Sequence, residues 1–413
     1  MDLDNLITII TPVIIILGTI IWVEIVRDCY HALSHYWQPL YRLHSWHHKV
    51  FRPDLTAVSE DIYRKAHWYN DLPEALVMLT LSFIPGLIFS WQTIPYSWVA
   101  WTGSLYTLTF LFGAIARGAG VPYVDELTDL THRPGDFTTL PAPWFVNRPY
   151  HWRHHFDNQK AYYSGTLTLV DKIMGTALSL KGKTIGVTGA SGTLGLSLLK
   201  ELHLNGAKVI ALTSQDKQIN LEIEAQEIPI KTLTWQVGKE TDLIDELTKI
   251  DILIINHGLN VHQERSEKAI IKSYEVNTFS GWRLMECFLK TVKTNQDKVR
   301  KEVWVNTSEA EVNPALSPLY ELSKRTFGDL ITLRRLDAPC VVRKLILGPF
   351  KSNLNPIGVM SADWVAKQII KGAKSDNRNI IVTINPITFI VFPVKEMMQT
   401  IYFKLFTKAR DKF

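Results

Sequence analysis

Cysteine is scarce in this chain. Of 413 residues only Cys29, Cys287 and Cys340 are cysteines, far apart and never in CxxC spacing. That excludes a disulfide framework and a thiolate metal site, and it fits a reducing compartment. No run of five or six Lys and Arg occurs, and the formal net charge is only +5, so no nucleic-acid partner is expected. Internal repeats and low-complexity stretches are absent too. The mean hydropathy of +0.02 is that of an ordinary soluble protein. That average misleads, because the apolar residues are concentrated in a few segments.

From Leu6 to Ile25 the chain is almost wholly apolar until Glu24, about 20 residues, enough to cross a hydrocarbon core. A secretory signal peptide is the competing reading. The leading Asp2 and Asp4, the missing small-residue cleavage site and the length of the run argue against it. Two more spans are expected, Leu72 to Trp91 and Tyr96 to Ala116, joined by a Gln-Thr-Ile-Pro turn. Three crossings put Arg27 to Asp71 and everything after Arg117 on one side, with Arg42, Lys49, Arg52, Arg64, Lys65 and Arg133. The other side has almost no cations, so the rich side is expected to be cytoplasmic.

Beyond Lys181-Gly182-Lys183 the texture changes. Short apolar strands (IGVTGAS, KVIALTS, DILIINHG, EVWVNTS, CVVRKLILG) alternate with amphipathic helical stretches, the mark of parallel βαβ units. The expected organisation is an all-α membrane domain over 1–180, an α/β domain over 181–382 and a membrane-associated segment over 383–413. Within that last segment Ile384 to Phe406 is apolar and aromatic but broken by Pro386, Pro393, Lys395 and Glu396. It reads as a helix lying in the membrane interface, with a fourth crossing as the alternative.

Ten of the 13 histidines precede residue 156. They fall as His31-x3-His35, His44-x2-His47-His48, His67, His132 and His151-x2-His154-His155. On a helix, positions three or four apart share a face, so each box offers two or three imidazoles to one point. Imidazole suits iron, zinc or copper, and converging boxes could hold two ions. A lone histidine is more often a satisfied surface or core group; three spaced boxes in one small domain are not. Asp28 and Asp129 are candidates to orient ligating rings, with solvated or capping roles as the alternative.

The run HALSHYWQPLYRLHSWHH resembles the first two boxes of the fatty acid hydroxylase and sterol desaturase superfamily, HxxxH then HxxHH, in register. Arg64 and His67 with Pro73-Glu74 resemble that family's intermediate histidine, His132 its solitary late one, and HWRHH its closing box. The resemblance covers roughly residues 5 to 180. It implies a non-haem di-iron centre, with O2 as co-substrate, attacking an unactivated C–H bond of a lipid. Ala32 stands where the family commonly has Arg.

In the second half TGASGTLG follows a strand and opens a helix, the context a phosphate-binding glycine loop needs. The candidate dinucleotide contacts are Gly189, Ser191, Gly192, Thr193, Leu194, Gly195, Thr213, Ser214, Asn256 and Gly258. The fold expected is a Rossmann-type doubly wound parallel sheet. Strand Lys208 to Leu212 ends without the acid that would hold an NAD ribose, and Thr213, Ser214 and Lys217 lean towards NADP over NAD. DILIINHG resembles the NNAG segment of short-chain dehydrogenases, with His257 at the usual second Asn. Asn277 resembles their catalytic asparagine, and Ser308 with Tyr320-x3-Lys324 completes the set. One turn apart on a helix, Lys324 would lower the phenol's pKa and hold the nicotinamide ribose, while Tyr320 moves a proton at a carbonyl oxygen. Thr307 and Ser317 are weaker candidates for the serine. Gly348-Pro349 with Ser352 resembles the later loop over the nicotinamide.

Fused in this order, the two halves resemble the bifunctional sterol desaturase and short-chain dehydrogenase proteins of cyanobacteria. That implies hydroxylation or desaturation of a fatty acyl, sterol or terpenoid lipid, coupled to NAD(P)-dependent alcohol–carbonyl interconversion. No flavin, haem or ferredoxin-type motif is present, so a separate ferredoxin or cytochrome donor is expected. Long-chain aldehyde conversion, carotenoid ring hydroxylation and a non-catalytic NAD(P)-sensing second domain are the competing readings.

Overall fold

The computed structural model describes residues 3–92 and 96–408. Thr93, Ile94 and Pro95 of the expected turn, and residues 409–413 of the expected C-terminal segment, lie outside the described residues. The chain divides into two compact units, Met1–Ala177 and Leu178–Phe413.

The first unit is helical. Among the described residues three stretches are long and apolar enough to cross a membrane: Ile7–Ser34, Glu60–Ser90 and Ser97–Gly118. Small residues let these helices approach closely. A Cβ on Gly103 would stand 2.8 Å from the Thr19 carbonyl oxygen, and one on Gly86 would meet the Trp101 ring at 2.7 Å. Buried polar side chains bind the spans together, with Ser82 Oγ donating to Ser104 Oγ at 3.1 Å and Tyr106 to Glu24 Oε1 at 2.6 Å. Their outward residues, Ile7, Ile14, Leu17, Leu76, Leu87 and Leu105 among them, are apolar and exposed, as lipid-facing helices require.

The second unit is an eight-stranded sheet. Its strands are β1 (Thr184–Thr188), β2 (Lys208–Thr213), β3 (Ile219–Ile223), β4 (Gln226–Thr234), β5 (Ile252–Ile255), β6 (Glu302–Asn306), β7 (Val341–Leu347) and β8 (Asn379–Val382). They run in the order β3-β4-β2-β1-β5-β6-β7-β8. All pairs are parallel except the β3–β4 hairpin at one edge. Helices cover both faces, and the two-residue strand period splits the core accordingly. Ile252 and Ile254 pack on one side with helices Thr193–Leu204 and Ala362–Lys374. Leu253 and Ile255 pack on the other with Gly281–Leu289 and Pro318–Arg335. This is the doubly wound arrangement the strand–helix alternation predicts. The reversal of winding at β1 and β5 opens a crevice at their carboxyl ends.

Candidate metal centre and nucleotide site

Histidine nitrogens converge on two points in the first unit. His31, His35, His44, His48 and His154 form one group, and His47, His132, His151 and His155 the other, each with its ligand atoms within 4.8 Å of one another. In the first, His31 Nε2 stands 3.1 Å from His44 Nε2 and 3.0 Å from His154 Nε2. In the second, His132 and His151 stand 2.9 Å apart, and His47 and His155 3.0 Å. Cis ligands on an ion with metal–nitrogen bonds of about 2.1 Å lie about 3 Å apart, so the spacing fits.

The ring protons fit as well. A neutral imidazole has one N–H, and in four rings Nδ1 faces an acceptor. His31 meets the Tyr163 carbonyl oxygen at 2.6 Å, His44 meets Asn70 Oδ1 at 2.9 Å, His154 meets the Ala161 carbonyl oxygen at 2.8 Å, and His132 meets Asp129 Oδ1 at 2.5 Å. That places the proton on Nδ1 and turns a bare Nε2 lone pair inward. Lone pairs facing one another at 3 Å repel unless a cation lies between them. Burial pushes His44 down to about 4 and His35 to about 3, and it holds His47, His151, His154 and His155 well below the usual imidazole range. These six rings are therefore neutral at physiological pH.

Three expectations change. Each box was expected to serve one point, but His47-His48 and His154-His155 split between the two groups. Successive helical residues point about 100° apart, so a neighbouring pair bridges two centres instead of sharing one. His67 joins neither group. It lies in the π-helical turn His67–Asp71, where Asp71 Oδ2, four residues on, meets its Nδ1 at 2.6 Å and Arg117 Nε stands 3.4 Å away. Asp28 orients no imidazole; it accepts from the Gly165 amide at 3.0 Å beside the Arg27 guanidinium. Asp129 does orient one.

Sequence reasoning missed Asn70, Tyr163 and Asp171. Asp171 accepts from the Tyr163 and Ser164 amides, both at 2.8 Å, from the Tyr150 hydroxyl at 2.9 Å and from Thr176 Oγ1 at 2.6 Å. It thereby fixes the loop whose Tyr163 carbonyl holds His31. Asn70 stands one helical turn after His67, a detectable signal; Asp171 offers none. A cavity of about 180 Å³ touches both groups and combines Arg27, Asp71, Glu74 and Arg117 with apolar Met78 and Phe110. Such a lining suits an amphiphile.

In the second unit the glycine loop joins β1 to helix Thr193–Leu204. Gly189 has φ +62°, and a Cβ there would press on the His257 backbone at 2.9 Å; one on Gly195 would stand 2.2 Å from the Gly189 carbonyl oxygen. Only glycine fits at either place. Gly192 is the N-cap residue and supplies no side chain, so the first amides, at Thr193 and Leu194, are open to an anion. Ser191 Oγ and Thr213 Oγ1 lie 3.1 Å apart, and Ser214 is exposed just past β2.

Across the crevice, Tyr320 and Lys324 share a face of helix Pro318–Arg335, with Lys324 Nζ 5.9 Å from the phenol ring centre. Lys324 donates to the Asn306 carbonyl oxygen at 2.9 Å, and Asn306 Nδ2 donates to Asn256 Oδ1 at 3.0 Å. A Cβ on Gly258 would stand 3.8 Å from Lys324 Nζ. Asn277 sits in the π-helical turn Glu275–Ser280 and brackets Leu259, accepting from its amide at 2.7 Å and donating to its carbonyl at 2.8 Å. π-turns of this kind cluster at functional sites. Ser308, with φ 151° and ψ 155°, occupies a region essentially reserved for glycine, and its hydroxyl accepts from the Ala310 amide at 3.1 Å. Thr307 and Ser317 point elsewhere, to the Leu345 carbonyl oxygen and to Asn260.

Burial raises the Tyr320 pKa, and Ser308 opposes that rise. Burial lowers Lys324 to about 8, with Glu311 pulling the other way. Burial and the Lys324 charge push His257 down to about 3; its Nδ1 meets Thr188 Oγ1 at 2.8 Å.

Two family models match the chain: "Fatty acid hydroxylase" over residues 16–176 and "short chain dehydrogenase" over residues 183–335. The monoglucosyldiacylglycerol epimerase of Synechocystis sp. is 64% identical over 396 residues, covering 95% of this chain and 97% of that protein. The chain belongs to that two-domain family. The short chain dehydrogenase/reductase dpchH of Colletotrichum higginsianum is 25% identical over 177 residues, 39% of this chain and 42% of that one. Among solved structures, a short chain dehydrogenase from Burkholderia cenocepacia J2315 in complex with NADP is 17% identical, covering 56% of this chain and 100% of that chain, with TM-score 0.44. As a member of the family, the chain is an oxidoreductase with a histidine-rich helical half and a half of the short-chain dehydrogenase fold.

Proposed function

We propose that this chain inverts a secondary carbinol in the sugar headgroup of a glycosyl diacylglycerol, by oxidising it to a ketone and reducing it again on the opposite face. The observation that carries this is 64% identity, spread over both halves, to a protein named as a monoglucosyldiacylglycerol epimerase. Bound NAD(P), with NADP favoured by the missing acid after β2, would supply hydride acceptance and return. Tyr320 as phenolate takes the hydroxyl proton as the carbinol hydride leaves, and gives it back when hydride returns to the carbonyl carbon. Lys324 keeps the phenolate accessible, and Ser308 holds the substrate oxygen beside it. The steps balance: one hydride and one proton leave and return, so no net oxidant is needed.

A second reading is favoured by the two histidine groups. Iron held by His31, His35, His44, His48 and His154, and by His47, His132, His151 and His155, would supply O2-dependent oxidation of a C–H bond, giving hydroxylation or desaturation of the lipid. The side chains around it hold the substrate in the mixed cavity and keep the ligating rings neutral. Electrons would then come from a separate ferredoxin or cytochrome. The arginine and lysine asymmetry between the loops supports placing both sites on the cytoplasmic side of the membrane.

The test uses the purified full chain, NAD(P) and a glucosyl diacylglycerol carrying deuterium on its ring carbinol carbons, under argon and under air. The sugar epimers are separated after hydrolysis. Epimer formed under argon with deuterium retained supports the hydride route. Epimer that carries solvent hydrogen, or that forms only in air, overturns it.

A further inference from the structure

Helix Thr388–Phe406 is built the wrong way round for a soluble surface helix. Two of its three charged residues, Lys395 and Glu396, face the protein. Glu396 accepts from Lys344 Nζ and Arg335 Nη1, both at 2.8 Å, and from Thr332 Oγ1 at 3.0 Å. Lys395 Nζ meets Glu311 Oε2 and Asp329 Oδ1, both at 2.8 Å. Thr388, Phe392, Lys395, Glu396 and Gln399 mark this inner face at helical spacing. The outer face is almost wholly apolar: Ile390, Met398, Leu405 and Phe406 are each more than 60% exposed, and Phe389, Val394, Met397, Ile401 and Tyr402 are exposed beside them. Contiguous exposed apolar faces of this kind mark interaction surfaces. Protein interfaces surround their apolar centre with a polar rim; here only Lys404 interrupts the outward side near its end, an arrangement that suits an interfacial helix on an acidic lipid surface.

The helix is also tied to the reacting residues. Glu309, next to Ser308, accepts from Thr383 Oγ1 at 2.8 Å and from the Thr388 hydroxyl, and Asn313 Nδ2 donates to Thr388 Oγ1 at 2.8 Å. The segment between Ser308 and Tyr320 is therefore clamped to the first turn of the helix. Leu316, 91% exposed, lies within that segment.

We propose that helix Thr388–Phe406 is seated by its outer face in the lipid bilayer surface and holds the Ser308–Tyr320 segment there, so that a lipid headgroup reaches Tyr320 while its acyl chains stay in the bilayer. The occupant is the bilayer itself, because the same chain carries three stretches long and apolar enough to cross one. The functional half of the proposal rests on the lipid-headgroup reading above; the seating half does not.

The test reconstitutes the full chain in nanodiscs containing phosphatidylglycerol, with Cys29→Ser in the background because the other two cysteines are buried. Fluorophores go on Ile390→Cys, Met398→Cys and Leu405→Cys, with exposed Lys249→Cys as the reference. Lipid-borne spin labels are expected to quench the first three and spare the fourth, and aqueous iodide the reverse. Iodide reaching residues 390, 398 and 405 overturns the seating, as does shielding from both quenchers with crosslinking between copies. In the second arm, Ile390→Ser with Met398→Ser and Leu405→Ser is expected to raise KM for vesicle-borne glycolipid at least about tenfold, an outer-face loss of roughly 1.4 kcal/mol or more. Activity on a soluble short-chain glycoside should not change. An unchanged KM overturns the headgroup-delivery role. Lipid quenching without activity on either substrate leaves the seating standing and removes the epimerase reading instead.

Discussion

The two sites of this chain are assembled by opposite physics. In the helical unit, nine imidazoles converge on two centres, and the four whose Nδ1 faces an acceptor turn bare nitrogens inward, an arrangement that repels itself until a cation arrives. In the nucleotide unit, the sheet that carries the cleft is held by backbone and by buried ion pairs that need no ligand. Arg343 bridges Glu302 and Asp376 at 2.7 and 2.6 Å, all three fully buried. The first site should therefore owe stability to its metal, and the second should owe only chemistry to its cofactor.

The largest effect expected from that contrast is on metal removal. Chelation should lower the unfolding temperature of the helical unit and leave that of the nucleotide unit in place. An ion present at a thousand times its Kd stabilises by about 4 kcal/mol. Coincident transitions before and after chelation, in calorimetry of the full chain, would break the comparison. His154→Ala should strip the first group and spare the second, read as the loss of about half the bound metal.

Next in size is Tyr320→Phe. It should reduce turnover by about 10²–10⁴-fold, the range for a lost proton relay, with metal content, nucleotide affinity and unfolding temperature unchanged. Full activity in this variant would reduce the nucleotide unit to a sensor. Asp129→Ala should be milder. It leaves every ligand in place but removes the acceptor that orients His132, so metal affinity of the second group should fall about 10–100-fold. Equal loss at both groups in a metal titration would show that they are not independent.

A further effect is a pH dependence confined to the nucleotide unit. Folded Lys324 titrates near 8 and unfolded lysine near 10.5. Below about 8 both states hold the proton and the burial penalty is borne in full. Between those values the unfolded chain binds the proton and the folded chain has shed it, so stability rises with pH. Lys324→Met should flatten that rise in urea midpoints. A wild-type midpoint that falls across this window would contradict the lowered pKa.

Local periodicity made much of this legible in the sequence. The i, i+3, i+4 spacing of the boxes announced a metal centre, and the strand–glycine–helix order announced the dinucleotide crevice, because both are set by residues within one or two turns. Tyr320 and Lys324 needed only a helix between them. The inverted helix at the C-terminus was visible as an apolar segment, but not the inward role of Lys395 and Glu396.

What the sequence by itself determined is which residues can do chemistry and on which local element each sits. Only the tertiary structure decided how they are shared out. It split His47 from His48 and His154 from His155, left His67 with Asp71, and chose Tyr163, Asn70 and Asp129 as the acceptors that set the ring tautomers. His31 and its acceptor Tyr163 stand 132 residues apart. No helical or strand period reaches that far; the packing of one apolar surface on another does, and it brings whichever polar atoms those surfaces carry into contact.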